Sequence, residues 1–319
     1  MSRAFIFPGQ GSQFVGMGKD LAETFSEARE VFEQVDDALS QKLSKIMFEG
    51  DESELNLTEN TQPALMAMSM AVAKVIRKQG GINFENVCSF MAGHSLGEYS
   101  ALTCAGALEL AVTAKLLRTR GKAMQKAVPV GVGAMAAILG LDLKDVQGVV
   151  KRAASEGGKE IVCQAANDNS DGQVVVSGHA GAVQLAINYA SEAGAKKAIL
   201  LPVSAPFHCS LMAPAAQEMA YALADTVIRP PYVPIVANVT AKAVSEPSDI
   251  RRLLVDQITG MVRWRESVQW MKEQGVTEMV ELGAGKVLSG LVKRIEKDVA
   301  CESVGTPEQI EALITKLKG

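Results

Sequence analysis

The stretch "AGHSLGEYSA" (residues 92–101) places Ser95 between two glycines and continues into a segment of helical character. The apolar run "VCSFMAG" (87–93) before it is short, which is typical of a buried strand. Strand, sharp glycine turn and helix predict that the Ser95 hydroxyl is exposed at the edge of a sheet and at the start of a helix, as in a nucleophile elbow. The alternative is a small serine that only caps the helix.

The segments on either side of this turn predict an α/β fold. The run "RAFIF" (3–7), ended by Pro-Gly, is typical of a buried parallel strand, and residues 233–239 and 278–283 predict further strands. Residues 63–79 are apolar nearly all round, which predicts a buried helix. Helical patterns also cover residues 19–43, 108–127, 248–257 and 287–297.

Residues 128–203 show a different order of predicted strands and helices. Short apolar runs and helical segments alternate there in the order β-α-β-β-α-β, which is the order of the ferredoxin-like motif. We therefore expect a small ferredoxin-like subdomain at residues 128–203. It would be inserted into a larger α/β domain formed by residues 1–127 and 204–319.

Composition narrows the class of protein. Hydrophobic residues make up 48% of the 319 residues and the net charge is −4, which predicts a globular core and gives no basic field for nucleic acid. The five cysteines form no C-x-x-C pair, so we expect reduced thiols and no zinc site. No apolar run is long enough for a secretory leader or a membrane span. These features predict a cytoplasmic protein that does not interact with membranes.

A serine nucleophile needs a base, and the chain offers His94, His179 and His208. His94 adjoins Ser95 on a sharp turn, so its ring should point away from the hydroxyl. His179 lies at a strand-to-helix turn of the predicted insert. By elimination His208 is the candidate base, with a core histidine bound to a carbonyl as the alternative. Every aspartate between Ser95 and His208 lies in the insert, so a neutral group is expected to orient the ring.

Arg120 lies on the apolar stripe of the helix predicted at residues 108–127, three residues after Leu117 and four before Met124. A guanidinium on a buried face needs an anionic partner. That partner is either an internal carboxylate, in a structural ion pair, or the carboxylate of a substrate held by two parallel hydrogen bonds.

The segment "PGQGSQFVGMG" (8–18) also follows a strand. Phe14 stands where a dinucleotide motif requires glycine, and no Gly-Lys-Ser/Thr sequence follows, so neither a dinucleotide site nor a P-loop is predicted. A glycine turn that exposes the backbone N–H of Gln10 could instead form half of an oxyanion hole, with the N–H of Leu96 as the other half.

Taken together, these motifs resemble the malonyl-CoA:acyl-carrier-protein transacylases of type II fatty-acid synthesis and the related polyketide acyltransferase domains. The matching stretches run in consistent order from residue 5 to about residue 295. They are "FPGQGSQ", "TQPAL", "GHSLGEYSAL", "RGKAMQ", "GAMAAI", "NSDGQVVVSG", "PVSAPFHCSLM", "VRW" and "ELGAGKVLSGLVKRI".

The resemblance implies a hydrolase-like, doubly wound, mainly parallel α/β domain with the ferredoxin-like insert. It implies ping-pong transfer of malonyl from malonyl-CoA to acyl carrier protein, without cofactor or metal. The implied roles are nucleophile for Ser95, base for His208, oxyanion amides at Gln10 and Leu96, and carboxylate binding by Arg120. It also implies that the backbone carbonyl of Gln257 orients the histidine, and that Phe207 is associated with malonyl preference.

Rival functions remain open from sequence. A thioesterase or esterase would release free acid and need an essential Asp or Glu, and a non-catalytic subunit would only bind the carrier protein. A polyketide acyltransferase would differ in which carrier protein docks. Carrier proteins are typically acidic, so the basic cluster of Lys286, Lys293 and Arg294 is a candidate docking surface, with a merely solvated helix face as the alternative.

Overall fold

The computed structural model describes residues 2–203 and 205–319. The strands are β1 (Ser2–Phe7), β2 (Phe90–Gly93), β3 (Gly133–Leu139), β4 (Cys163–Ser170), β5 (Gln173–His179), β6 (Lys197–Leu200), β7 (Ile235–Ala237), β8 (Lys242–Val244), β9 (Val276–Leu282) and β10 (Ala300–Val304). The first seven helices are α1 (Lys19–Thr24), α2 (Ser26–Leu39), α3 (Leu43–Glu49), α4 (Glu52–Leu55), α5 (Thr58–Gly80), α6 (Gly97–Cys104) and α7 (Leu110–Lys126). The others are α8 (Leu143–Gly157), α9 (Ala180–Glu192), α10 (Ala213–Ala224), α11 (Pro247–Thr259), α12 (Trp264–Glu273), α13 (Val287–Ile295) and α14 (Pro307–Lys318).

The larger sheet has the order β10-β9-β1-β2-β7-β8. All neighbours pair in parallel except β7 and β8, which pair antiparallel. The last four residues of β1, from Ala4 to Phe7, are fully buried, as expected for a strand covered on both faces. In the register of β1 and β2, Phe7 lies opposite Gly93. The turns that follow these two strands therefore meet at one edge of the sheet.

Helix α5 is the central helix of the core. Its residues 64–73 are buried throughout, which explains why their sequence lacks a polar face. The helix is longer than the predicted span of 63–79 and includes Pro63 as its sixth residue, where the missing N–H removes one i→i−4 hydrogen bond from the second turn. It packs against α2 and α7, and so places α7 and its Arg120 beside the sheet edge.

The second sheet is antiparallel and has the order β4-β5-β3-β6. Its elements follow one another as β3-α8-β4-β5-α9-β6, which is the β-α-β-β-α-β order predicted from the sequence. Its side chains form a separate apolar cluster with α8 and α9. The predicted boundary at Ser204 and the predicted start at Met1 lie outside the described residues.

The sequence patterns located most strands of the larger sheet but not all of its elements. The single helical region predicted at residues 19–43 consists of α1, α2 and the start of α3. The strands β8 and β10 and the helices α10, α12 and α14 were not predicted. The antiparallel β8 makes the sheet mixed, although it remains mainly parallel. Among the described helices, none is both long and apolar enough to cross a membrane.

Candidate active site

The turn that carries Ser95 has a strained backbone, and the glycines on either side make the turn possible. Ser95 has φ of 53°, a left-handed conformation that is costly for a residue with a side chain and is often found at functional sites. A Cβ on Gly93 would lie 1.9 Å from the carbonyl carbon of Gly97, and a Cβ on Gly97 would lie 2.3 Å from the carbonyl oxygen of Phe7. Gly93 therefore allows the turn to close against the start of α6, and Gly97 allows it to pack against the end of β1.

His208 is the histidine that the fold brings to Ser95. Its Nε2 lies 2.8 Å from Ser95 Oγ, and its Nδ1 lies 2.8 Å from the backbone carbonyl oxygen of Gln257. A carbonyl can only accept, so Nδ1 carries the hydrogen and Nε2 accepts the Ser95 hydroxyl. His208 also has a left-handed backbone, with φ of 58°. The ring is thus held in the tautomer that a general base needs.

Burial and charge both keep this imidazole neutral. His208 is 4% exposed, and desolvation together with the nearby positive charge of Arg120 lowers the pKa of His208 to about 3, although the Gln257 carbonyl opposes the shift. A cation beside the ring makes imidazolium costly. His208 is therefore ready to accept a proton, and it will hold that proton only briefly.

Arg120 is buried and makes no direct ion pair within the described residues. It is 1% exposed and donates to three neutral acceptors: Gln62 Oε1 at 2.8 Å, Gln257 Oε1 at 2.8 Å and Ser95 Oγ at 3.1 Å. Its guanidinium carbon also lies 5.8 Å from the centre of the Tyr99 ring. Its Nε–H has no acceptor among the described residues. Desolvation lowers the pKa of Arg120, while nearby Tyr99 and Glu98 oppose the shift. Since no carboxylate among the described residues pairs with Arg120 directly, the guanidinium is available to an anion that enters the site.

The amides predicted for an oxyanion hole lie at the same sheet edge. Gln10 follows the end of β1 and Leu96 follows Ser95, and both line the cavity that contains Ser95. Neither backbone N–H donates a hydrogen bond to an acceptor within the described residues. By contrast, the N–H of Ser95 is already occupied, because it donates to Asn238 Oδ1 at 2.7 Å. Both residues therefore line the serine's cavity with backbone N–H groups that have no acceptor among the described residues, and their role in an oxyanion hole stays a prediction.

The active-site cavity lies between the two sheets and has a volume of about 180 Å³. The larger sheet, its helices and its loops contribute Gln10, Ser95, Leu96, Arg120, Phe207 and His208, whereas Gln257 does not line the cavity. The antiparallel sheet contributes Met135, Asn167, Asn169 and Val175. The two parts of the fold therefore enclose one small, partly polar space around the serine.

The sequence did not predict Glu98 and Asn238, whose hydrogen bonds support the site. Glu98, on the first turn of α6, accepts hydrogen bonds from Gln257 Nε2 at 2.8 Å and from the backbone N–H of Asn238 at 3.0 Å. Asn238 Nδ2 in turn donates to the carbonyl of Gly93 at 2.7 Å. A polar residue directly after β7 was a signal for Asn238, since the carboxyl ends of parallel strands share an edge. Only the backbone of Gln257 was predicted to matter.

The other histidines do not bond to Ser95. His94 lines the same cavity, but its Nε2 lies 2.8 Å from Asn169 Oδ1. His179 Nδ1 accepts the backbone N–H of Val162. Lys286, Lys293 and Arg294 are exposed at α13 but do not line the active-site cavity.

Fold and site together define a class of enzyme. A serine on a strained strand-to-helix turn, bonded to a neutral histidine and flanked by free amides, is the arrangement of enzymes that form an acyl-serine. The acyl transferase domain family matches residues 4–315, and the chain belongs to this family.

Relatives and solved structures place the chain more narrowly. A malonyl CoA-acyl carrier protein transacylase of Bacillus subtilis (strain 168) is 47% identical over 315 residues, covering 99% of this chain and 97% of the relative. The crystal structure of an acyl-carrier-protein-S-malonyltransferase from Bartonella henselae is similar with a TM-score of 0.96 at 55% identity, covering 100% of both chains. A malonyl-transacylase in complex with a type II PKS acyl-carrier protein has a TM-score of 0.94 at 41% identity, covering 99% of this chain and 100% of that one.

Proposed function

We propose that this chain transfers the malonyl group from malonyl-CoA to the phosphopantetheine thiol of an acyl carrier protein, through a malonyl-serine, and thereby supplies fatty-acid chain elongation. One observation carries the proposal. In a single cavity, the Ser95 hydroxyl lies 2.8 Å from a neutral imidazole and 3.1 Å from a buried guanidinium that has no carboxylate partner among the described residues. Acyl transfer needs the imidazole, and a substrate that carries a carboxylate needs the guanidinium.

In the first half-reaction, Ser95 Oγ attacks the thioester carbonyl while His208 Nε2 takes the hydroxyl proton. The carbonyl oxygen becomes an oxyanion and is received by the backbone amides of Gln10 and Leu96. Collapse of this intermediate breaks the carbon–sulfur bond. The proton on His208 then moves to the departing sulfur, so that CoA leaves as a thiol and malonyl remains on Ser95 as an ester.

The second half-reaction reverses these steps with another thiol. The phosphopantetheine thiol gives its proton to His208 and attacks the ester carbonyl, and the oxyanion forms again at the two amides. Ser95 leaves with the proton from His208, and the new thioester departs on the carrier protein. Because the first product leaves before the second substrate enters, the kinetics are ping-pong.

Arg120 provides the preference for malonyl. The planar guanidinium can hold a carboxylate by two parallel hydrogen bonds, and its neutral partners Gln62 and Gln257 orient it without neutralising it. An acetyl group offers nothing for these donors to bind. Phe207, which forms part of the cavity wall, would limit branching next to the acid group.

Transfer is favoured over hydrolysis when the acyl-serine outlives attack by water. A malonyl group with its carboxylate fixed at Arg120 would occupy part of the cavity of about 180 Å³ and limit the positions from which a free water can reach the ester. The malonyl-enzyme should therefore hydrolyse slowly in buffer and transfer quickly to carrier protein. Comparable rates would support the rival thioesterase function instead.

Intact mass spectrometry tests the proposal directly. The enzyme is mixed separately with malonyl-CoA, acetyl-CoA and methylmalonyl-CoA, with Ser95→Ala as control. We expect a malonyl adduct on the wild type, none on Ser95→Ala, and loss of the adduct when holo-carrier protein is added. A wild type that acquires no adduct would support the rival function of a carrier-binding subunit.

Several finer features belong to the same proposal. We expect a hydrolase-like catalytic domain at residues 1–127 and 204–319 and a ferredoxin-like subdomain at residues 128–203, supported by the two sheets and their separate apolar clusters. The chemistry uses no cofactor or metal beyond its two substrates. A cytoplasmic location is consistent with five free cysteines.

The carrier protein is proposed to dock at Lys286, Lys293 and Arg294, which are exposed and suit an acidic partner. Charge reversal there should raise KM for carrier protein and leave acylation by malonyl-CoA unchanged. Fatty-acid and polyketide carrier proteins, tested side by side, distinguish the two pathways.

A further inference from the structure

Glu98 is a buried carboxylate that the proposed chemistry does not use. It is 2% exposed, and its Oε2 accepts two hydrogen bonds, from Gln257 Nε2 at 2.8 Å and from the backbone N–H of Asn238 at 3.0 Å. Burying a carboxyl group is costly unless its partners compensate. Its place behind Ser95, on the first turn of α6, suggests a role in the site.

The side chain of Gln257 connects Glu98 to Arg120. Its Nε2 donates to Glu98 Oε2 at 2.8 Å and, over longer distances, to the backbone carbonyl of Ser95 at 3.1 Å and to Asn238 Oδ1 at 3.4 Å. Its Oε1 accepts from the Arg120 guanidinium at 2.8 Å. Glu98 is the nearest of the three acceptors and the only carboxyl group among them. A side-chain amide can turn over and exchange its oxygen and nitrogen. Turned over, Gln257 would place an NH2 group against Arg120, where donor would face donor. An acceptor at Glu98 attracts the NH2 group and so holds the oxygen towards Arg120.

We propose that Glu98 is a positioning residue that acts through the side chain of Gln257 to orient Arg120 and so sets the preference for acyl groups bearing a carboxylate. This inference rests on the proposed malonyl transfer. It assigns to Gln257 a second task, separate from its backbone bond to His208: the backbone holds the base and the side chain holds the guanidinium.

The protonation of Glu98 does not remove the acceptor. Burial raises the pKa of Glu98 to about 7, while its bonds to Asn238 and Gln257 and the charge of Arg120 pull it down. In either protonation state one oxygen remains able to accept from Gln257. A glutamine with its carbonyl oxygen in the same place would accept equally well, so what matters is the acceptor and not the charge.

The test compares Glu98→Met with Glu98→Gln. Methionine keeps the length of the side chain and removes the acceptor, whereas glutamine keeps both. The rate of acyl-serine formation is measured with malonyl-CoA and with acetyl-CoA. Because a misdirected Gln257 weakens a charge-assisted contact, the malonyl-to-acetyl ratio of kcat/KM should fall by about tenfold or more in Glu98→Met. In Glu98→Gln it should stay within about threefold of wild type.

A double-mutant cycle separates this role from a general effect on folding. Gln257→Met removes the side-chain amide but keeps the backbone carbonyl that holds His208, so it should lower the same ratio. Glu98→Met added to Gln257→Met should then lower it no further, because Glu98 acts through Gln257. If Glu98→Met does not fold, Gln257→Met alone still tests the link to Arg120.

Three results would overturn the inference: an unchanged ratio in Glu98→Met (which includes an equal loss on both substrates), a loss in Glu98→Gln as large as in Glu98→Met, or additive losses in the double variant. If Glu98→Met does not fold, an unchanged ratio in Gln257→Met would do the same. Wild-type enzyme that forms no malonyl-serine would refute the proposed function itself. The two failures are therefore distinct.

Discussion

The sharpest prediction concerns Arg120→Met. This change removes the guanidinium from a side chain that is 1% exposed and keeps a similar length, so it empties little space. It deletes the bonds to Gln62, Gln257 and Ser95. We expect malonyl transfer to collapse while acetyl transfer falls far less, because only malonyl has a carboxylate for the guanidinium to hold.

The magnitude follows from the contacts. Two charge-assisted hydrogen bonds to the malonyl carboxylate contribute about 1.5–3 kcal/mol each, or about 3–6 kcal/mol together. At about 1.4 kcal/mol per factor of ten, this predicts a fall of roughly 10² to 10⁴ in the malonyl-to-acetyl ratio of kcat/KM. The bond from Arg120 to Ser95 Oγ at 3.1 Å is lost for both substrates, so it cancels in the ratio.

The assay is acyl-serine formation followed by rapid quench and intact mass, with each thioester varied in concentration. Arg120→Lys is the matched control, because it keeps a charge but loses the planar fork, and it should give an intermediate ratio. Thermal unfolding of each variant shows whether the fold survives. Equal losses on malonyl and acetyl in a folded variant would mean that Arg120 is structural, and the substrate assignment would be refuted.

Three further predictions concern His208, Asn238 and Glu281. Because the pKa of His208 is lowered to about 3, kcat/KM for acylation should show no His208 titration between about pH 8 and about pH 5. Because Glu98→Gln removes the titrating carboxyl group of Glu98, an acid limb of the pH profile that persists in this variant would contradict the prediction. Asn238→Ala removes the acceptor for the Ser95 amide and should slow malonyl and acetyl transfer alike, by about tenfold, measured as acylation rates. Glu281→Ala leaves the first amides of α13 unpaired and should lower the free energy of unfolding by about 2–4 kcal/mol in denaturant titrations, with kcat/KM unchanged.

The parts of the fold that sequence predicted are those whose pattern reflects two-sided burial. The apolar run of β1 and the nearly all-apolar stretch at residues 64–73 of α5 are both explained by burial on all sides. Helices α10 and α14 were not predicted, because their short amphipathic patterns resemble ordinary surface segments. The antiparallel β8 is three residues long, from Lys242 to Val244, and its pairing depends on β7, which no local pattern shows.

The same distinction holds within the site. Ser95 could be predicted because the strained turn demands glycines on both sides, and Arg120 because a charge interrupts an apolar stripe. The structure places His208 beside Ser95, where elimination had put the base. Glu98 could not be predicted, because its effect depends on an amide of Gln257 that lies far away in sequence and meets it only in the folded chain.

The neutral partner of His208 suits an enzyme whose acyl group is itself an anion. The Gln257 carbonyl lies 2.8 Å from Nδ1, where many serine hydrolases have a carboxylate. A carboxylate there would repel an acyl carboxylate held at Arg120; for scale, two unit charges about 8 Å apart repel by about 2 kcal/mol at an effective dielectric constant of about 20. It would also compete with the substrate for the guanidinium. A carbonyl orients the ring without either cost. The histidine that results is a weaker base, but it is sufficient, because a thiolate leaves readily. His208 needs to hold the proton only until the sulfur takes it.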